Sequence, residues 1–113
     1  MEPFGLVVRF VLKPGTAQAF DALLRRTVEG ITTAEPNTLM YVVHSVEGEP
    51  DVRVFYELYR TEGALAEHED QPTTRYFLDH RDDFVESYTV DRLRPVTAKG
   101  LDTLAACAPT APS

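Results

Sequence analysis

Cysteine is nearly missing from this chain: Cys107 is the only one among 113 residues. A single thiol forms no intrachain disulfide and builds no thiolate metal cluster. Long apolar runs are missing as well. No stretch approaches the roughly 20 apolar residues of a membrane-spanning helix, so no membrane association is expected. Positive charge is scarce: 11 Lys and Arg stand against 18 Asp and Glu, a formal net charge of -7. That balance disfavours non-specific binding to nucleic acid or to an anionic membrane, both of which attract basic surfaces. Met1-Glu2-Pro3-Phe4 carries no basic segment followed by an apolar run, so a secretory signal is not expected and a cytoplasmic location is. What remains is the composition of an ordinary globular domain, 43% hydrophobic and 26% charged. The chain is long enough for one hydrophobic core and too short for two.

Phe4, Leu6, Val8, Phe10 and Leu12 alternate with Gly5, Val7, Arg9 and Val11, the period of a strand. Lys13-Pro14-Gly15 breaks it, and Thr16 suits the N-cap of the helix that follows. Ala17, Phe20, Leu24, Val28 and Ile31 recur at steps of three and four, an amphipathic helix that Pro36 should end. Leu39–Val46 and Val52–Tyr59 read as a hairpin turning through Glu47-Gly48-Glu49-Pro50-Asp51. Thr61 opens a short helix with Ala64, Leu65 and His68 on one side. Pro72 starts a second, with Tyr76, Phe77, His80 and Phe84 on one face. Tyr88–Val96 reads as a last strand at a sheet edge. Residues 98–113, mostly Ala, Thr and Pro, cannot nucleate a core and read as a tail behind a 1–97 domain, with a short helix expected at Leu101–Ala106.

The order β-α-β-β-α-β predicts an α+β, ferredoxin-like sheet with helices on one face. In the hairpin, Met40, Val42, His44 and Val46 alternate with Leu39, Tyr41 and Val43. In the next strand, Val52, Val54, Tyr56 and Leu58 alternate with Phe55, Glu57 and Tyr59. Both sheet faces are therefore substantially apolar, while helices cover only one. The uncovered face predicts a C₂ homodimer packed sheet against sheet.

Val11-Leu12-Lys13-Pro14-Gly15 with Phe20, then Glu35-Pro36 and Tyr41-Val42-Val43-His44, resemble the antibiotic biosynthesis monooxygenase family. So does Phe55-Tyr56-Glu57-Leu58-Tyr59-Arg60 followed by Ala64, His68, Pro72 and Phe77, which is the most specific stretch. The similarity runs from about Phe4 to about Val96. It implies a dimeric α+β barrel with a ligand pocket in each subunit between sheet and helices. Members of that family include quinol and anthrone oxygenases that use no cofactor, haem degraders and isomerases. Two departures bear on the reaction. The chain has no Trp, whereas the haem degraders use a Trp-Asn-His set, and Tyr59 stands where many relatives have Trp. Thr73 stands where a quinol-oxidising relative has His. A haem-degrading role is disfavoured.

Oxygenation without metal, flavin or haem requires a substrate whose anion passes an electron to O₂ directly. The protein then supplies a dry pocket, a base and donors that hold the anion. Histidine, with an ordinary pKa of about 6.5, is the natural base. His68 is the first candidate, inward-facing by helical spacing and at the position the resemblance matches; a core histidine bonded to a backbone carbonyl or to Glu57 is the alternative. His44 is the second, facing either the pocket or the dimer interface. Tyr41, Tyr56, Tyr59, Tyr76 and Phe77 offer an aromatic wall for a planar substrate, or ordinary core and interface packing. Glu57, in an apolar strand, needs a partner: Arg9 on the neighbouring strand is expected to supply it, or Glu57 orients His68. His44, His68 and His80 lack close ligand spacing, so no metal site is expected. The expected function is oxidation of a small quinol- or anthrone-type aromatic by O₂. An isomerase or cyclase acting on an enolisable carbonyl compound, and a non-catalytic ligand-binding dimer, are the alternatives.

Overall fold

The computed structural model describes residues 2–100. The expected helix at Leu101–Ala106 and most of the tail lie outside the described residues. The order is β1 (Phe4–Leu12), α1 (Ala17–Ala34), β2 (Thr38–Val46), β3 (Glu49–Tyr59), α2 (Glu62–Glu69), α3 (Pro72–His80), a 3₁₀ turn (Arg81–Asp83) and β4 (Val85–Leu93). The strands form one sheet in the order β2-β3-β1-β4, and every neighbouring pair is antiparallel. β1 and β2 thus run parallel with β3 inserted between them, the split crossover of a ferredoxin-like fold.

Alternation along each strand sorts the sheet into two faces. One carries the cross-strand rows Tyr41–Glu57–Leu6–Arg92, Val43–Phe55–Val8–Val90 and Ser45–Arg53–Phe10–Tyr88. The helices pack on this face. Phe10 lies at the centre of the core, its ring 4.8 Å from Phe55, 5.8 Å from Phe20 and 6.2 Å from Phe77, all edge-on. Edge-on pairing suits the ring quadrupole, and truncating such a residue costs about 3–5 kcal/mol. Arg53 ties β3 to α1 through two bonds to Asp21, at 2.8 and 3.0 Å. α1 and α3 approach closely at Gly30, where Thr73 fills the space a side chain would need.

The opposite face carries the rows Val42–Tyr56–Val7–Asp91 and His44–Val54–Arg9–Thr89. No helix covers it among the described residues, and Val42 is 37% exposed. Its apolar band lies on β2, β3 and β1 and fades to Thr and Asp on β4.

Three local expectations change. The hairpin turn is only Glu47-Gly48, and Pro50 lies within β3. Gly48, at φ +80°, takes the left-handed backbone that shortens the turn. The last strand begins earlier, at Val85, because Leu12 pairs with it and the Lys13 amide donates to the Phe84 carbonyl. After buried Val85, Glu86 and Ser87 are exposed and carry no apolar signal. Thr16 occupies the N-cap of α1, but its hydroxyl bonds the Lys13 and Phe84 carbonyls rather than capping the helix. Thr61, by contrast, accepts from the Ala64 amide at 3.3 Å and caps α2.

Candidate active site

Between the helix-covered face of the sheet and helices α2 and α3 lies a cleft of about 350 Å³. Its floor is Leu6, Val8, Phe10 and Phe55 from the central strands, with Tyr41 from β2 and Val90 from β4. Its wall is His68 and Leu65 from α2, with Thr74, Phe77 and Leu78 from α3. Arg81, Tyr88 and Arg92 belong to the part bounded by the edge strand, where Tyr88 is 46% exposed. The pocket is mostly apolar with a few polar groups, the usual character of a small-molecule site.

The chemistry centres on His68. Its Nδ1 lies 2.7 Å from Glu35 Oε1, and the two side chains are 6% and 4% exposed. The Thr74 hydroxyl is 3.3 Å from the same nitrogen. Glu35 Oε1 also accepts from the Thr38 hydroxyl at 2.8 Å. With the carboxylate accepting at Nδ1, the proton belongs there, and Nε2 carries the lone pair a base requires. Two tyrosines flank the imidazole, Tyr41 at 5.5 Å and Tyr59 at 5.6 Å between ring centroids.

The other Glu35 oxygen, Oε2, is buried and accepts no protein hydrogen bond. An unsatisfied buried acceptor costs about 1–3 kcal/mol, more when charged. The residue is placed by the end of α1: its amide caps the helix on the Ile31 carbonyl, and Pro36 prevents another turn.

Glu57 also lines the cleft and accepts the Tyr59 hydroxyl. Burial raises its carboxyl above the usual range; the Tyr59 bond and nearby His68 offset this in part. Burial likewise raises the Tyr41 hydroxyl well above the ordinary phenol value, reinforced by Glu57 and Glu35. Tyr41 therefore remains a protonated donor.

The expected site residues separate into two groups. His68, Tyr41, Phe77 and Glu57 meet at the cleft. Tyr59 is fully buried behind it. Tyr56 and His44 lie on the helix-free face, so His44 is on the far side of the sheet from His68. Tyr76 is 46% exposed on the outside of α3, stacked on His80 at 3.9 Å. Arg9 is no partner for Glu57: register places it opposite Val54 on the other face, where it pairs with Glu49 at 3.2 Å. Tyr59 is the hydrogen-bond partner instead. Sequence reasoning missed Glu35 as the partner of His68; the Glu35-Pro36 dipeptide was the only signal. Among the described residues no three His, Cys, Asp or Glu side chains stand together as a metal site. No helix among them is long and apolar enough to cross a membrane.

Comparison with solved structures shows where this architecture recurs. PA3566 from Pseudomonas aeruginosa superposes with a TM-score of 0.78 at 23% identity, over 86% of this chain and 97% of its own. A provisionally named antibiotic biosynthesis monooxygenase from Caulobacter crescentus superposes with a TM-score of 0.80 at 20% identity, over 85% and 92%. A similarly named protein from Nitrosomonas europaea gives 0.79 at 20% identity, over 88% and 95%. At these identities the likeness is one of fold. A search of curated proteins finds no match. The sequence profile of the antibiotic biosynthesis monooxygenase family matches residues 3–88, which takes in β1 through the start of β4 and the whole His68 helix. The chain belongs to the antibiotic biosynthesis monooxygenase family.

Proposed function

We propose that this protein is a monooxygenase that oxidises a small electron-rich aromatic, of the quinol or anthrone type, with O₂ and without metal, flavin or haem. The observation that carries the reading is the His68 imidazole, held at Nδ1 by buried Glu35, on the wall of a cleft lined by Tyr41, Phe55 and Phe77. For an anthrone-type methylene, His68 Nε2 removes one proton, and Tyr41 donates to the oxygen of the resulting enolate. The carbanion passes an electron to O₂, and the two radicals combine to a carbon-bound peroxide. His68 returns its proton to the outer oxygen. Loss of the second C–H with cleavage of the O–O bond leaves a new carbonyl and one water. No outside reductant is required, because the methylene supplies all the electrons.

The helix-free face, with exposed Val42 beside Tyr56 and Val7, supports a homodimer packed through that face. The test of function is oxygen uptake with a panel of anthrones and quinols, with no cofactor added and a chelator present. Uptake with one oxygen atom from O₂ in the product supports the reading. No uptake across the panel overturns it in favour of an isomerase, cyclase or binding role.

A further inference from the structure

The floor of the cleft is a strip of aromatic rings that crosses the sheet. From the His68 ring it passes to Tyr41 at 5.5 Å, and from Tyr41 to Phe55 at 5.8 Å. It continues from Phe55 to Phe10 at 4.8 Å and from Phe10 to Tyr88 at 5.7 Å. The four floor residues lie on four different strands, so the strip spans three strand spacings, about 14 Å. A single ring does not reach from end to end, whereas a fused tricycle with a side group does. The two ends differ in access and in charge. At the inner end His68 is buried, and Glu57 and Glu69, which repel each other, lie on the cleft. At the outer end Tyr88 is half-exposed. The Arg81 guanidinium lies over its ring at 4.7 Å and donates to its hydroxyl at 3.3 Å. Two arginines line the cleft, and they are not equivalent. Arg92 is paired with Glu62 at 2.9 Å and lies over the Phe4 ring at 4.5 Å. Arg81 pairs with no carboxylate among the described residues, although Asp79, Asp82 and Asp83 are its neighbours in sequence. Its bond to Tyr88 uses one of several N–H donors, which leaves others for a planar acid.

We propose that Arg81 is the acid-recognition residue of this cleft, and that the substrate is a fused polycyclic aromatic bearing a carboxylate. The carboxylate sits on Arg81 and the reacting ring points toward His68; this orientation rests on the reading of His68 as the base. At the wet mouth the carboxylate keeps part of its hydration, while the apolar rings take the dry strip. The reverse orientation sets the carboxylate against Glu57 and Glu69, where like charges repel. Arg81 thus selects the acid and also decides which end of the molecule meets the base.

The test uses two compounds that have no ring methylene to oxidise and so read binding alone: anthraquinone-2-carboxylate and its primary amide, titrated into the full chain by calorimetry. The wild type should bind the carboxylate about 10-fold more tightly than the amide, the weight of one charge-assisted hydrogen bond. The chain carries a net charge of -7 and repels anions at long range, so such a preference reports a local site. Arg81→Gln should abolish the preference by weakening the carboxylate alone, and Arg81→Lys should keep part of it. Arg75→Gln, which removes the same charge from an exposed pair with Asp70, should keep it in full. Equal affinity of the wild type for the two compounds, or binding of neither, overturns the proposal without recourse to any variant. So does a preference that survives Arg81→Gln. A loss in Arg81→Gln shared equally by both compounds means that Arg81 only holds its turn against β4, and this too overturns it. If the carboxylate is preferred through Arg81 but no anthrone or quinol is oxidised, the proposed function falls and the acid site stands. Oxidation without the preference leaves the function standing and removes the acid site.

Discussion

Glu35 and His68, 33 positions apart, meet at 2.7 Å, and the bond joins the end of α1 to the middle of α2. Both side chains are buried, so the pair is shielded from the screening that makes surface ion pairs weak. The bond also makes the two histidines facing the sheet unequal. His68 has a carboxylate behind it and the cleft in front. His44 is exposed on the opposite face.

That inequality gives the first prediction. His68→Ala should lower turnover of an anthrone or quinol by about 10²–10⁴-fold, the usual weight of a general base. Substrate binding should change little, because the apolar lining of the cleft is left in place. His44→Ala should leave the rate per active site near wild type. Oxygen-electrode kinetics beside a binding titration separates rate from affinity. A dead His44→Ala with an active His68→Ala would put the base on the strand.

The second concerns assembly. Val42, rather than Val43, belongs to the helix-free face. Val42→Asp should yield monomer or aggregate where the wild type is a dimer, because an unpaired charge would be buried in the interface. Light scattering at micromolar concentration reads the difference. A monomeric wild type would remove the dimer.

Stability against pH is governed in part by Glu57. Its folded pKa is raised by burial, so the folded state holds this proton more tightly than the unfolded chain does. The associated stabilisation is fully present below the unfolded value and is lost as pH rises through the raised folded value. The wild type should therefore lose stability across that window, on the neutral side of the usual carboxylate range. Glu57→Gln should flatten the slope there and keep the Tyr59 bond through its amide oxygen. Urea midpoints measured at a series of pH values check this, and an identical slope in the variant would contradict it.

Gly30→Ala tests the contact between α1 and α3. A Cβ at this position would stand 2.5 Å from Thr73 Oγ1, 2.6 Å from Cγ2 and 2.9 Å from Cβ. A rotamer change cannot relieve the contact with Thr73 Cβ, so α3 must move. The ordinary gain from replacing a helical glycine should reverse into a loss of about 1–3 kcal/mol, read by chemical denaturation. Thr73→Ala in the same background still leaves a Cβ in the way and should recover only part of it.

Alternation and helical spacing determined the elements, the sheet faces and the inward direction of His68, because those signals repeat along the chain itself. Tyr41, Glu57 and Phe77 line the cleft, but alternation alone left open which sheet face meets it, and Tyr56, of the opposite parity to Tyr41, was expected there equally. Tyr76 shares a helix with Phe77 yet points outward, since one step along a helix turns a side chain by about 100° and only packing against α1 decides which of the two goes in. Arg9 and Glu57 lie on adjacent strands, and the register of β1 on β3 was needed to put them on opposite faces. Glu35 carries no periodic signal: it is the residue at which a helix stops. Its bond to His68 exists only because the sheet brings the end of α1 beside α2. The sequence by itself therefore determined which residues of an element share a face. The tertiary structure alone decided which of them touch, because contact between distant segments depends on register and helix placement, and neither repeats in the sequence.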